Sequence, residues 1–179
     1  MILLKSVKTA PRQGIILENP TTEDVNKYLP MASSNKLAAF DYEATGLELE
    51  DKIVGVSVVD DEYPAGVYFS FKNLDDKTDG VKKIILRRVA MRPTIAHGAQ
   101  YEQWMTYSAL GRYANIQYDT MCLLNSIEGD YAGVPGNKGL KNLQVDLLGW
   151  EDKGDVELDE WLTLNGYVNN RGKVLKGEM

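Results

Sequence analysis

Apolar and polar positions change their spacing twice along the chain, and the two changes divide it into regions. Residues 19–30, NPTTEDVNKYLP, read as a short helix: Thr21 or Thr22 can cap it, acids follow in its first turn, and Val25, Tyr28 and Leu29 line one side. Pro30 ends it. Three strand signals come next, at 36–42 (KLAAFDY), 52–59 (KIVGVSVV) and 65–71 (AGVYFSF). In the third, Val67, Phe69 and Phe71 alternate with Tyr68 and Ser70. The links between these strands are short, which suits antiparallel neighbours.

Helical spacing then takes over. Residues 80–91 place Val81, Ile84, Ile85, Arg88 and Val89 near one face, and Pro93 closes the helix. A brief strand is expected at 94–97, a helix at 99–111 stopped by Gly111, and a strand at 115–118. A helix capped by Asp119 follows over 119–127, then a loop, then a helix at 140–150 with Leu140, Leu143, Leu147 and Leu148 inward. The order predicts an α/β fold with a mixed sheet, three antiparallel strands then parallel ones, flanked by helices. Residues 1–14 read as a loose, basic leader.

Composition narrows the class. The 179 residues are 44% hydrophobic and 26% charged, as in an ordinary globular domain. The longest apolar runs fall far short of the ~20 residues that span a bilayer, so no membrane association is expected. One cysteine, Cys122, excludes an internal disulfide framework and a cysteine-rich zinc site, and fits a reducing cytoplasm; inside its helix it reads as a small core residue. The net charge of −6 excludes a generic basic coat for nucleic acid. It leaves room for an acidic metal site.

Asp41 and Glu43 supply the first candidate chemistry. A strand has a side-chain period of two, so both carboxylates point to one face. They repel each other, and a divalent cation with hard oxygen ligands relieves the repulsion. The plain alternative is a solvated strand end, but LAAF just before them reads as buried. Glu102 lies one turn into the 99–111 helix and meets the first strand's end if strands one and four are neighbours; otherwise it is a surface residue. His97, the only histidine, reads as a strand-end hydrogen-bonding residue. No phosphate-binding GxxxxGK[ST] loop is present.

Four segments in order carry a resemblance. AAFDYEATGL, TIAHGAQYEQWM, QYDTMCLLNSI and GNKGLKNLQVDLLGW resemble the successive motifs of the DEDD superfamily of 3′–5′ exonucleases, which have a ribonuclease-H-like fold. Within it they look most like the proofreading exonuclease domain of family A, phage-type DNA polymerases. The resemblance spans roughly residues 15–165, leaving 166–179 as a tail. It implies that Asp41, Glu43 and Glu102 are catalytic metal ligands for two Mg²⁺ or Mn²⁺ ions, with Glu102 where the family usually has aspartate. It also implies that Thr45, Leu47, His97 and Tyr101 contact substrate, with Leu47 wedging against the terminal base. Gly98 stands where asparagine is common.

The implied activity is metal-dependent phosphodiester hydrolysis at the 3′ end of single-stranded DNA, with a polymerase domain in the same longer chain and a bacterial or phage-infected cytoplasm as its setting. The third motif, Y-x-x-x-D, has no match after residue 150: Tyr167 is followed four residues later by Arg171. The expectation is therefore a chain stopping short of that motif, folded but weakly active. Two other readings stay open: a stand-alone DNA or RNA exonuclease with a divergent third motif, and a noncatalytic ribonuclease-H-like module that binds nucleic acid.

Overall fold

The computed structural model describes residues 14–31, 36–46, 51–60, 66–71 and 79–128, all within one compact unit, Ala10–Gly129. The expected 140–150 helix, the tail, Leu47, Tyr167 and Arg171 lie outside the described residues. Ten elements follow in order: β1 Ile15–Glu18, α1 Thr22–Tyr28, β2 Ala38–Ala44, β3 Ile53–Val59, β4 Val67–Ser70, α2 Asp79–Met91, β5 Thr94–Ala96, α3 Gln100–Leu110, β6 Ile116–Asp119 and α4 Thr120–Glu128.

The strands form one sheet in the order β1-β4-β3-β2-β5-β6. β2, β3 and β4 are antiparallel neighbours, as their short links require. β5 lies parallel to β2, and β6 parallel to β5. This is the mixed ribonuclease-H-like α/β architecture. β1 corrects the expected strand count. It pairs parallel with β4 through Ile15–Val67 and Leu17–Phe69. With four residues it is too short to show an alternation by itself, and its pairing partner decides its state.

One sheet face makes the core. Phe40 and Tyr42 of β2 stand beside Val58 and Val56 of β3, which pair in turn with Val67 and Phe69 of β4. All six are buried, along with Val25 and Leu29 near α1 and Ile85, Leu86 and Val89 of α2. The helix ends are stapled by side chains. Thr21 and Asp24 form a reciprocal capping box at the start of α1. Arg88 of α2 donates to the Val25 and Leu29 carbonyls at 3.1 and 2.9 Å, closing the other end of α1. Arg92 is buried and pairs with Asp60 at 2.7 Å.

The expectation for Cys122 is overturned. It is exposed, whereas Leu124 is the buried residue of α4. Two positions along a helix are about 200° apart, so turning Leu124 inward turns Cys122 out.

Candidate functional site

The carboxylates occupy the other face of β2. Ala39, Asp41 and Glu43 alternate with the buried Ala38, Phe40 and Tyr42. Register places Asp41 opposite Ser57 and Glu43 opposite Gly55. β5 pairs only with Ala38 and Ala39. The chain therefore leaves the sheet just before Asp41, and α3 begins there.

Gly98 makes that turn with φ of 74°, a left-handed conformation that glycine adopts freely and asparagine tolerates. Asp119 fixes it. Its carboxylate accepts from the backbone N–H groups of Gly98 and Ala99 at 3.0 and 2.9 Å, and from Met121 at 2.9 Å. One side chain thus caps α4, as its position in the sequence suggests, and also holds the start of α3. Burial opposes ionisation of Asp119, but the N–H groups of Gly98, Ala99, Met121 and Cys122 outweigh it and hold the carboxyl below its usual range.

Anchored in this way, α3 turns Glu102 toward β2. Glu102 is 3% exposed, so the surface-residue alternative is excluded. Thr106, one turn on, has its Oγ1 3.1 Å from Tyr42 Oη and 2.6 Å from the Glu102 carbonyl, which ties α3 to β2 beneath the site. Burial and nearby Glu102 push the Tyr42 phenol up to about 12, so it stays neutral.

Asp41 and Glu102 meet side chain to side chain. Burial, opposed by a backbone hydrogen bond, pushes Glu102 up to about 7, with the charges of Asp41 and Asp119 and the hydrogen bond to Asp41 adding to it. Asp41 reaches solvent along the strand, yet its carboxyl is crowded by neighbours. That desolvation raises its pKa against the lowering effects of the Glu102 hydrogen bond and of nearby His97. Glu43 is raised by partial burial and by Asp41. Oε2 of Glu102 is buried without a hydrogen-bond partner, a costly state for a carboxyl oxygen.

A cation fits this donor set. The oxygens are hard, Asp41 raises the pKa of both Glu43 and Glu102, and one buried oxygen lacks a partner. Among the described residues, no three His, Cys, Asp or Glu side chains stand gathered as a ready-made metal cage.

The other residues singled out from the sequence surround this pair. His97 Nδ1 lies 2.8 Å from Thr120 Oγ1. Tyr101 donates from its phenol to the Gly46 carbonyl at 3.0 Å, tying α3 to the end of β2. Thr45 donates to Asp51 at 2.7 Å and accepts from the Lys52 N–H at 3.0 Å. Its hydroxyl therefore closes the β2–β3 turn.

Tyr68 escaped the sequence reading. A Cβ on Gly55 would meet its phenol oxygen at 2.1 Å, so the glycine lets Tyr68 lie across β3 toward Glu43. Partial burial and the Glu43 charge raise the Tyr68 pKa. The signal was present: Tyr68 alternates with Val67 and Phe69, and pairing β4 with β3 puts it on the carboxylate face.

Solved structures share this fold. NrnC of Brucella melitensis bound to pGG matches with a TM-score of 0.54 at 15% identity, covering 78% of this chain and 63% of that one. The same nuclease has been solved with Mg²⁺ bound. RNase D of Escherichia coli, an exoribonuclease involved in structured RNA processing, matches with a TM-score of 0.55 at 14% identity, over 81% of this chain and 36% of that one. The Nibbler EXO domain of Aedes aegypti gives 0.54 at 12% identity, over 81% and 72%. The chain thus spans less than two thirds of the Brucella nuclease and about a third of RNase D. No family model and no curated protein sequence matches it. Among the described residues no helix is long and apolar enough to cross a membrane. The fold is ribonuclease-H-like.

Proposed function

We propose that this chain is a divalent-metal-dependent 3′–5′ exonuclease acting on single-stranded nucleic acid. The observation that carries the reading is the meeting of Asp41 on β2 with the buried Glu102 on α3, one of whose carboxyl oxygens has no hydrogen-bond partner. Paired carboxylates in a fold shared with nucleases fit phosphodiester hydrolysis better than a structural role, because burying them costs stability without a cation.

Asp41, Glu43 and Glu102 would hold Mg²⁺ or Mn²⁺. When bound, the cation lowers the pKa of water and offsets charge on the phosphate. The chain's own residues set the geometry. Asp119 fixes the start of α3 and so the place of Glu102. Tyr101 fixes Gly46 at the end of β2. His97 contributes positive charge beside Asp41 when protonated, and Tyr68 offers a phenol beside Glu43.

The named neighbours point to RNA and to the nucleic acid pGG as substrate classes, which favours a stand-alone exonuclease. The proofreading setting suggested by the sequence motifs draws no support from them. The test uses 5′-labelled single-stranded RNA and DNA of one sequence, incubated with Mg²⁺ or Mn²⁺. The expected result is a ladder shortening from the 3′ end, with RNA cut faster, and no ladder for Asp41→Asn. Cleavage only inside the strand, or a ladder that survives Asp41→Asn, overturns the proposal.

A further inference from the structure

The outward side of α3 carries a second feature. Glu102, Met105 and Thr106 face inward. Trp104, Tyr107 and, just past the helix, Tyr113 face solvent, at 41, 51 and 65% exposure. The Tyr107 and Tyr113 rings stack, with centroids 5.0 Å apart and planes 25° from parallel. Together with Gln100 and Gln103, the three rings line one groove of about 470 Å³.

The groove is built. The Gln103 amide pairs with both backbone groups of Ala114, donating to its carbonyl at 3.0 Å and accepting from its N–H at 2.8 Å. This pins the segment after α3 and sets Tyr113 against Tyr107. Leaving three such rings in water costs apolar burial that each could gain elsewhere.

Charge decides the occupant. Between Gln100 and Tyr118 the only charged residues are Glu102 and Arg112. Glu102 is buried on the opposite side, and Arg112, beside Tyr113, is exposed. In a chain of net charge −6, the described segment 100–118 thus carries no exposed acid and one exposed cation, and the residues lining the groove are uncharged. Flat, uncharged rings with an exposed arginine next in the chain suit stacked bases and a phosphate.

We propose that Trp104, Tyr107 and Tyr113 form a stacking platform for bases of a single nucleic-acid strand, upstream of the end held at the carboxylates. The platform rests on the nuclease reading. A helix diameter of about 10–12 Å separates the platform from Glu102, and a strand that passes around the helix needs more than the roughly three stacked nucleotides, at ~3.4 Å each, that the straight distance spans. A trimer held at the carboxylates falls short of it, and a 12-mer reaches it. Stacking is blind to base and sugar, so RNA and DNA engage alike.

The test has two arms. In EDTA, labelled 12-mers and trimers of oligouridylate and oligothymidylate are titrated against the full chain and against Tyr107→Ala/Tyr113→Ala. The 12-mers should bind the variant at least about tenfold more weakly, and the trimers within about twofold. Ultraviolet crosslinking on the unaltered chain, with peptide mapping, should place 12-mer adducts at Trp104, Tyr107 or Tyr113 and needs no variant to fold. Adducts confined to 41–46 and 97–102, equal loss for both lengths, or a wild-type dimer that the variant abolishes would each overturn the platform. Trimer hydrolysis in Mg²⁺ without 12-mer adducts sinks the platform and leaves the nuclease standing. Adducts on the rings without hydrolysis of any oligonucleotide support the platform and sink the nuclease.

Discussion

Replacing Asp119 by alanine removes the acceptor that holds two helix starts. Three backbone donors lose it: Gly98 and Ala99 at the start of α3, and Met121 in α4. A lost N-terminal cap costs about 1 kcal/mol per helix. The missing negative charge near two helix N-termini adds about 0.3–1 kcal/mol at each. The expected total is about 2.6–4 kcal/mol, read from urea denaturation followed by circular dichroism at pH 7. Asp119→Asn keeps an acceptor oxygen without the charge and should lose about half as much. The sign with pH follows from the lowered carboxyl. Its folded pKa lies below the ordinary 3.8, so its contribution is present above that value and is lost as pH falls through the folded pKa. The gap between wild type and Asp119→Ala should therefore close in acid. Removing Asp119 also removes a charge that raises Glu102, so the Glu102 pKa should fall from about 7. A loss under about 1 kcal/mol at pH 7, or a gap unchanged in acid, refutes the double-cap argument.

Other outcomes follow from the same contacts. Glu102 is raised from 4.5 to about 7, so its proton stabilises the metal-free fold fully below about pH 4.5, and that stability is lost as pH climbs through about 7. A bound cation takes the proton's place, so Mg²⁺ should raise the melting temperature more at pH 8 than at pH 5.5; an equal rise at both contradicts a metal bound at the raised Glu102. Glu102→Gln should keep the metal-free fold intact and abolish that metal-induced rise, measured by thermal melting. Gly55→Ala should strain Tyr68, whose phenol oxygen stands 2.1 Å from the new Cβ; the cost, about 1–3 kcal/mol, should vanish in Gly55→Ala/Tyr68→Ser by urea denaturation. Arg92→Met leaves Asp60 without its 2.7 Å partner and should cost about 3 kcal/mol or more, read in the same way.

The middle strands were legible because alternation and β-branching act locally, and KLAAFDY carries its inside and outside on alternate residues. β1 was not, because four residues gain their state from β4. Asp41 and Glu43 were legible as a pair from the strand period alone. Helical spacing could place Glu102 on α3 but not say what that side faces. That depends on β5 ending beside Ala39, a property of the sheet. Asp119 read as one cap and serves two, since its second helix lies about 20 residues back in the chain. Cys122 failed for a simpler reason: TMCLLNSI is apolar almost all round, and Leu124 won the inward position.

Asp41, Glu43 and Glu102 are proposed to hold a divalent cation together. Titration calorimetry with Mn²⁺ at pH 8 tests it most directly, on the full chain and on Asp41→Asn and Glu102→Gln. Mn²⁺ should bind the unaltered chain, and either substitution should weaken that binding at least about tenfold. Binding of equal strength in all three proteins, or none in the unaltered chain, contradicts it.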